Sequence, residues 1–242
     1  MIALQDIATT APPEAIKETT KHATKKLRKR LFELQHNMYI EGKHSLLVIL
    51  QGVDTSGKDG TIRSVFSGVN PMGCRVKSFK KPTELEQKHD FLWRVFPHLP
   101  EAGKIQLFNR SYYEDILVPT LYNTVEGEAL LHRYTMVNEL ERHLLLCNTR
   151  VIKFFLHVSK EEQWARIQSR INEPHKRWKY HPDDKKAAAR YHDLLEIYDR
   201  IRSQCDNPVP WRIIPADKKW YRNYLVAKYM VEELESLNIQ LP

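Results

Sequence analysis

The run SLLVILQ, Ser45 to Gln51, is apolar almost throughout and lacks the alternation of a half-exposed strand. Such a run predicts a strand buried on both faces. Four more short apolar runs follow, at 74–79, 104–109, 151–158 and 211–216. Between them, apolar positions recur at helical spacing over about 59–69, 84–97, 127–147, 160–172, 184–203 and 217–237. Ahead of the first strand, 13–42 reads as one long helix. Pro12 and Pro13 open it, Glu14 sits in its first turn, and Leu27, Leu31, Leu34 and Met38 trace its apolar stripe. Strands alternating with helices predict an α/β fold around a largely parallel sheet. No internal repeat or low-complexity linker interrupts the chain. This predicts an N-terminal helical extension over 1–44 and one main domain over 45–242, with a helical insert near 170–200.

The segment after the first strand, Gly52 to Thr61, reads GVDTSGKDGT. Gly52-x4-Gly57-Lys58 is the spacing of a P-loop, placed between a buried strand and a helix as that motif requires. Glycines let the backbone curl so that its N–H groups form an anion nest, here across Thr55, Ser56, Gly57, Asp59 and Gly60. The following helix adds its positive end, and Lys58 adds a point charge. Asp59 stands where P-loop NTPases carry the magnesium-binding Ser or Thr. Asp54 lies inside the loop, and an acid facing phosphate is unfavourable unless a cation lies between them. Asp54 is therefore the better metal candidate. Asp59 also fits a plain acid in the first turn of a helix.

FNRSYYED, Phe108 to Asp115, ends the third strand, where chemistry collects in open α/β sheets. Asn109 holds the place of the usual second acid and carries no charge. Arg110 suits bidentate phosphate contact. Glu114 or Asp115 could supply the missing charge, and Glu114 is the preferred second metal ligand. Tyr112 and Tyr113 read as packing residues with hydroxyls that find partners.

Composition narrows the partner. The chain has 242 residues, with 38 Lys and Arg against 30 Asp and Glu, a formal charge of +8. The excess points to a polyanion. A hydrophobic content of 42% excludes a disordered chain, and no apolar run nears the ~18 residues of a membrane span. The N-terminus lacks the pattern of a secretory signal. Three scattered cysteines without a CxxC pair exclude a zinc module or disulfide framework and predict a cytoplasmic setting. The basic run from Lys21 to Arg30 is either a solvated face or a docking surface for a polyanion.

The P-loop, SFKKPTELEQKHDFLWR (78–94), FNRSYYED, VIKFFLHVSKEEQ (151–163), RINEPHKRWKY (170–180) and PWRIIPADKKWYRN (210–223) occur in one order over about residues 30–240. In this the chain resembles the polyphosphate kinase 2 family. The resemblance implies a P-loop kinase sheet of the thymidylate-kinase type with a helical lid at about 170–190. It implies reversible phosphoryl transfer between inorganic polyphosphate and purine nucleotides, with magnesium, or manganese as a substitute. It makes Asp54 and Lys58 essential, places Asn109 and Arg110 in the second motif, and makes Arg170 the lid arginine. Asn109 with SYYED looks most like the class III branch, which uses nucleoside mono- and diphosphates, although the diphosphate branch commonly has Asp at the position of Asn109. Tyr191 stands where related sequences often carry Trp.

The lid cations Lys176, Arg177 and Lys179 are expected on polyphosphate, and Pro174 and Pro182 suit a mobile element. The segment 77–94 is expected to receive the nucleotide through Lys77, Lys81, Pro82 and Arg94. By analogy with the family, a homo-oligomer, dimer or tetramer, is expected. An ATP-dependent nucleoside monophosphate kinase would share the P-loop, but Asp59 in place of a hydroxyl argues against it. A nucleic-acid binder would suit the charge, yet no stacking motif or zinc module supports one.

Overall fold

The computed structural model describes residues 2–241. Its elements in chain order are α1 (Lys17–Glu41), β1 (Ser45–Gln51), α2 (Lys58–Val65), β2 (Cys74–Ser78), α3 (Glu84–Gln87), β3 (Ile105–Asn109) and α4 (Glu114–Leu121). Then follow α5 (Gly127–Leu146), β4 (Thr149–His157), α6 (Lys160–Asn172), α7 (Asp183–Ala189), α8 (Tyr191–Gln204), β5 (Trp211–Pro215) and α9 (Lys219–Glu235). All strand pairs are parallel, in the order β2-β3-β1-β4-β5. The connections reverse direction at β1, so the crevice beyond its carboxyl end, between β3 and β4, is the topological switch point where ligands bind. The P-loop and Asn109 both open there, because Leu50 pairs with Asn109 in register.

Every residue of β1 is buried, as its unbroken apolar run predicts. Beneath β4 lies a charge that no apolar pattern suggests. Lys153 and Glu141 are fully buried and pair at 2.8 Å. Lys153 also donates to the Tyr113 hydroxyl at 3.0 Å and to the Cys205 carbonyl at 2.6 Å. The Tyr112 and Tyr113 hydroxyls donate to Glu141 at 2.9 and 2.8 Å. Every partner is satisfied, which is the condition under which a buried ion pair is tolerated. The network fixes the residues just before α4, and with them the place where Arg110 and Glu114 stand.

The long N-terminal helix begins at Lys17 rather than at 13 and packs along α9. Ahead of it, the Leu4 amide bonds Asp199 at 2.9 Å, and Thr9 bonds Asp217 at 2.7 Å. Two expected elements change. The helix expected over 84–97 ends after one turn, capped by Thr83. Asp90 then takes the Leu92 amide in a turn, and Pro97 sits in a short 3-10 segment. The helix expected over 184–203 is two, broken at Arg190, whose guanidinium reaches the Leu121 carbonyl at 2.8 Å and Asp193 at 2.8 Å. The helix α4, with Pro119 inside it, was not expected. Among the described residues, no helix is long and apolar enough to cross a membrane.

Candidate active site

Two backbone features shape the loop. Gly52 has φ +142°, and a Cβ there would lie 2.6 Å from the Leu156 carbonyl on β4. Gly57 has φ +102°, a conformation side chains rarely adopt. Thr55 and Arg110 also take left-handed φ angles of 64° and 61°, the kind of sparsely populated backbone that clusters at functional sites. The turn at Arg110 lifts its side chain off the end of β3 toward the P-loop.

The loop opens on a cleft of about 880 Å³. Its walls are the P-loop, the start of α2, residues 78–81, the end of β3, α6, the segment beyond α6 and the start of α9. Among the described residues, eleven Lys and Arg side chains line it against three Asp. Such an imbalance of like charge is costly unless an anion enters.

Lys58 is one of these cations. It is 8% exposed and folded back, donating to the Gly52 carbonyl at 2.7 Å, the Val53 carbonyl at 3.2 Å and Ser56 Oγ at 3.4 Å. Burial, reinforced by Arg110, pushes its ammonium down to about 8. Arg110 bridges two acids: Nη2 donates to Asp54 at 2.5 Å, and Nη1 lies 3.7 Å from Glu114. Burial raises the Asp54 carboxyl, but Arg110 and Lys58 outweigh it and hold the group below the ordinary aspartate value. At Glu114 burial wins over Arg110 and Lys58, so its carboxyl is raised.

Of the expected site residues, Asp54, Thr55, Gly57, Lys58, Asp59, Gly60, Asn109, Arg110, Arg170, Lys176, Lys179 and Lys81 all line the cleft. Ser56 is fully buried under it. Glu114 stands behind Arg110, with Gln51 donating to it at 3.2 Å, and is not part of the cleft wall. Asn109 donates to Asp59 at 2.6 Å, so the residues at the two unusual positions are partners. Arg170 reaches Asp184 at 3.0 Å and the Lys179 carbonyl at 3.3 Å.

Four further expected residues lie outside the cleft wall. Arg94 is held by Asp115 at 2.6 Å and the Lys80 carbonyl at 2.9 Å, which makes it a strut under residues 78–81. Lys77 lies over the Phe79 ring, Pro82 accepts from Gln87, and Arg177 donates to the Ile171 carbonyl. Most of the α1 basic run is either paired or solvated, for example Lys21 with Glu18 and Arg30 with Glu235. Sequence reasoning missed Arg63, Lys80, Arg166, Lys219 and Arg222 in the cleft wall. A signal existed for Arg166: it precedes Arg170 by four residues on α6 and so shares its face.

A magnesium ion would fit Asp54, an ionised carboxylate at the cleft and 29% exposed. Among the described residues, no group of three or more metal-ligating side chains is present. Magnesium takes one or two carboxylates and completes its shell with phosphate oxygens and water.

The polyphosphate kinase 2 family model matches residues 14–242. The AMP/ADP-polyphosphate phosphotransferase of Meiothermus ruber is 46% identical over 230 residues, 95% of this chain and 86% of that protein. An ADP-polyphosphate phosphotransferase of Rhodopseudomonas palustris is 39% identical over 241 residues, 93% of this chain and 83% of that protein. The crystal structure of polyphosphate kinase 2 from Arthrobacter aurescens TC1 superposes with a TM-score of 0.96 at 33% identity, covering all of this chain and 88% of that one. A P-loop at the switch point of a parallel sheet, a cation-lined cleft and a match over nearly the whole length agree: the chain belongs to the polyphosphate kinase 2 family.

Proposed function

We propose that this chain transfers the terminal phosphoryl group of inorganic polyphosphate to AMP and ADP, reversibly and with magnesium. The observation that carries this reading is the cleft: eleven cations against three carboxylates around a P-loop is a site for two polyanions at once. The name of the Meiothermus ruber relative supports the nucleotides.

Donor and acceptor phosphates repel each other, so the first task is to neutralise charge and hold them in line. Lys58, Arg110 and Arg170 supply fixed cations from the loop, the second motif and the lid side. Asp54 would hold magnesium, which would screen phosphate oxygens from one another. Glu114 anchors Arg110 from behind rather than ligating the ion. The acceptor oxygen needs no base, because a phosphate monoester with a second pKa of about 6 is mostly ionised at pH 7. Residues 78–81, with Lys80 and Lys81 in the wall, receive the acceptor.

The test is an assay with polyphosphate, magnesium and no ATP, with AMP, ADP, GMP and GDP compared side by side. ATP formed from AMP and from ADP is the expected result. Turnover with ATP as donor and none with polyphosphate would replace the proposal with an ordinary nucleoside monophosphate kinase.

A further inference from the structure

An anion nest works only if its peptide planes are turned so that the N–H groups face in. The carbonyls of those planes then face away and need donors of their own. In this protein three consecutive P-loop carbonyls are met from outside the loop by two helices. Gln163 Nε2 donates to the Asp54 carbonyl at 3.0 Å. Arg166 Nη1 donates to the Thr55 and Ser56 carbonyls, both at 3.0 Å. Arg222 Nη1, from the first turn of α9, adds a second bond to the Ser56 carbonyl at 3.2 Å.

The supports are themselves fixed. Arg166 Nη2 bonds the Ala216 and Asp217 carbonyls at 2.7 and 2.9 Å, and Nε bonds Glu162 at 2.8 Å. Arg222 is 2% exposed, forms no ion pair among the described residues, and leans on Asn223. It sits near the positive end of α9, where a cation is disfavoured. Gly57 allows this approach, because a Cβ there would lie 1.9 Å from Arg222 Nη1. Two arginines are held against repulsion beside one loop, and what they grip of it is backbone.

We propose that Gln163, Arg166 and Arg222 are positioning residues that set the P-loop peptides for phosphate before the anion arrives. They form a clamp on the loop's carbonyl groups, Arg166 and Arg222 from within the cleft wall and Gln163 from outside it, and Gln163 also orients Asp54 by holding the Asp54 carbonyl. The inference rests on the P-loop being the phosphate site, not on which nucleotide is the acceptor. Gln163 separates positioning from contact, since it is fully buried and outside the cleft wall.

The probe is tripolyphosphate, titrated calorimetrically into Gln163→Met, Arg166→Lys and the unaltered chain over a salt series, with no nucleotide present. Losing a hydrogen bond to a buried carbonyl predicts about tenfold weaker binding for each variant. It also predicts an unchanged slope of log affinity against log salt, because no phosphate contact is lost. Turnover should fall in kcat more than KM rises, with unfolding midpoints within a few degrees of the unaltered chain. Gln163→Met binding as tightly as the unaltered chain would overturn the clamp. So would Arg166→Lys keeping full affinity while Arg166→Gln lowers the salt slope by about one, the mark of a direct phosphate contact. If the unaltered chain itself fails to bind tripolyphosphate, the phosphate reading falls, which is a separate result.

Discussion

Replacing Lys58 with methionine should stabilise the empty protein while destroying its activity, and the gain should depend on pH in a defined way. In the folded chain the Lys58 ammonium drops from 10.5 to about 8, chiefly through burial. At 1.36 kcal/mol per pH unit, keeping it charged at pH 7 costs roughly 3 kcal/mol. Between pH 8 and 10.5 the unfolded chain holds this proton more firmly than the folded one, so stability rises with pH there. The penalty is full below pH 8 and gone above 10.5. For a domain of this size about 3 kcal/mol corresponds to ~6–12 °C in unfolding midpoint. Losing the three donated hydrogen bonds offsets part of this at every pH. The measurement is therefore the difference in unfolding midpoint between Lys58→Met and the unaltered chain, from pH 7 to 10.5. The advantage of Lys58→Met should shrink steadily above pH 8. Parallel curves across that range would refute the reasoning. A second readout follows from the same linkage: phosphate binding should take up about half a proton at pH 8, seen as a dependence of the binding heat on buffer.

Asp54→Asn should lower turnover about 100-fold or more while leaving polyphosphate affinity equal or higher, since it removes a negative charge from the cleft. Weaker polyphosphate binding in a filter or calorimetric assay would contradict a metal role for Asp54. Glu114→Gln should cut kcat about tenfold by loosening Arg110, with manganese affinity by electron paramagnetic resonance unchanged; a matching loss of manganese would make Glu114 a ligand after all. Lys153→Met should cost about 3–5 kcal/mol in denaturant unfolding by stranding Glu141, and adding Glu141→Leu should recover much of it. Equal stability of the single and double variants would mean that Glu141 is not charged in the fold.

What the sequence discloses follows from how local each signal is. β1 and the P-loop could be read because an apolar run, a glycine spacing and a lysine sit within 17 residues, from 45 to 61. The short α3 was misread as a long helix because Leu85, Phe91, Leu92 and Val95 roughly fit a helical stripe, while the turn at Asp90 depends on one side chain meeting one amide. Arg94 looked like a phosphate contact because its partner Asp115 is 21 residues away and only the fold unites them. Arg166 and Arg222 looked like the ordinary charges of amphipathic helices. Their partners are carbonyls up to 166 residues distant, and backbone carbonyls carry no signature in a sequence. Lys153 sat in an apolar strand as an anomaly, and the residues that explain it come from α5, the turn before α4 and the end of α8.

The hydrogen bond between Asn109 and Asp59 has a consequence for how the family's chemistry can be rearranged. An ordinary P-loop enzyme places a hydroxyl at the start of the helix and an acid on the neighbouring strand. Here the acid is on the helix and the neutral partner on the strand, so the two positions have traded places while their summed charge is conserved. They are one unit with two spellings. Changing Asn109 alone to Asp would set two carboxylates against each other, and changing Asp59 alone to Ser would leave the pair with no charge. Changing both restores the sum, so Asp59→Ser with Asn109→Asp together should lose less activity than either change alone.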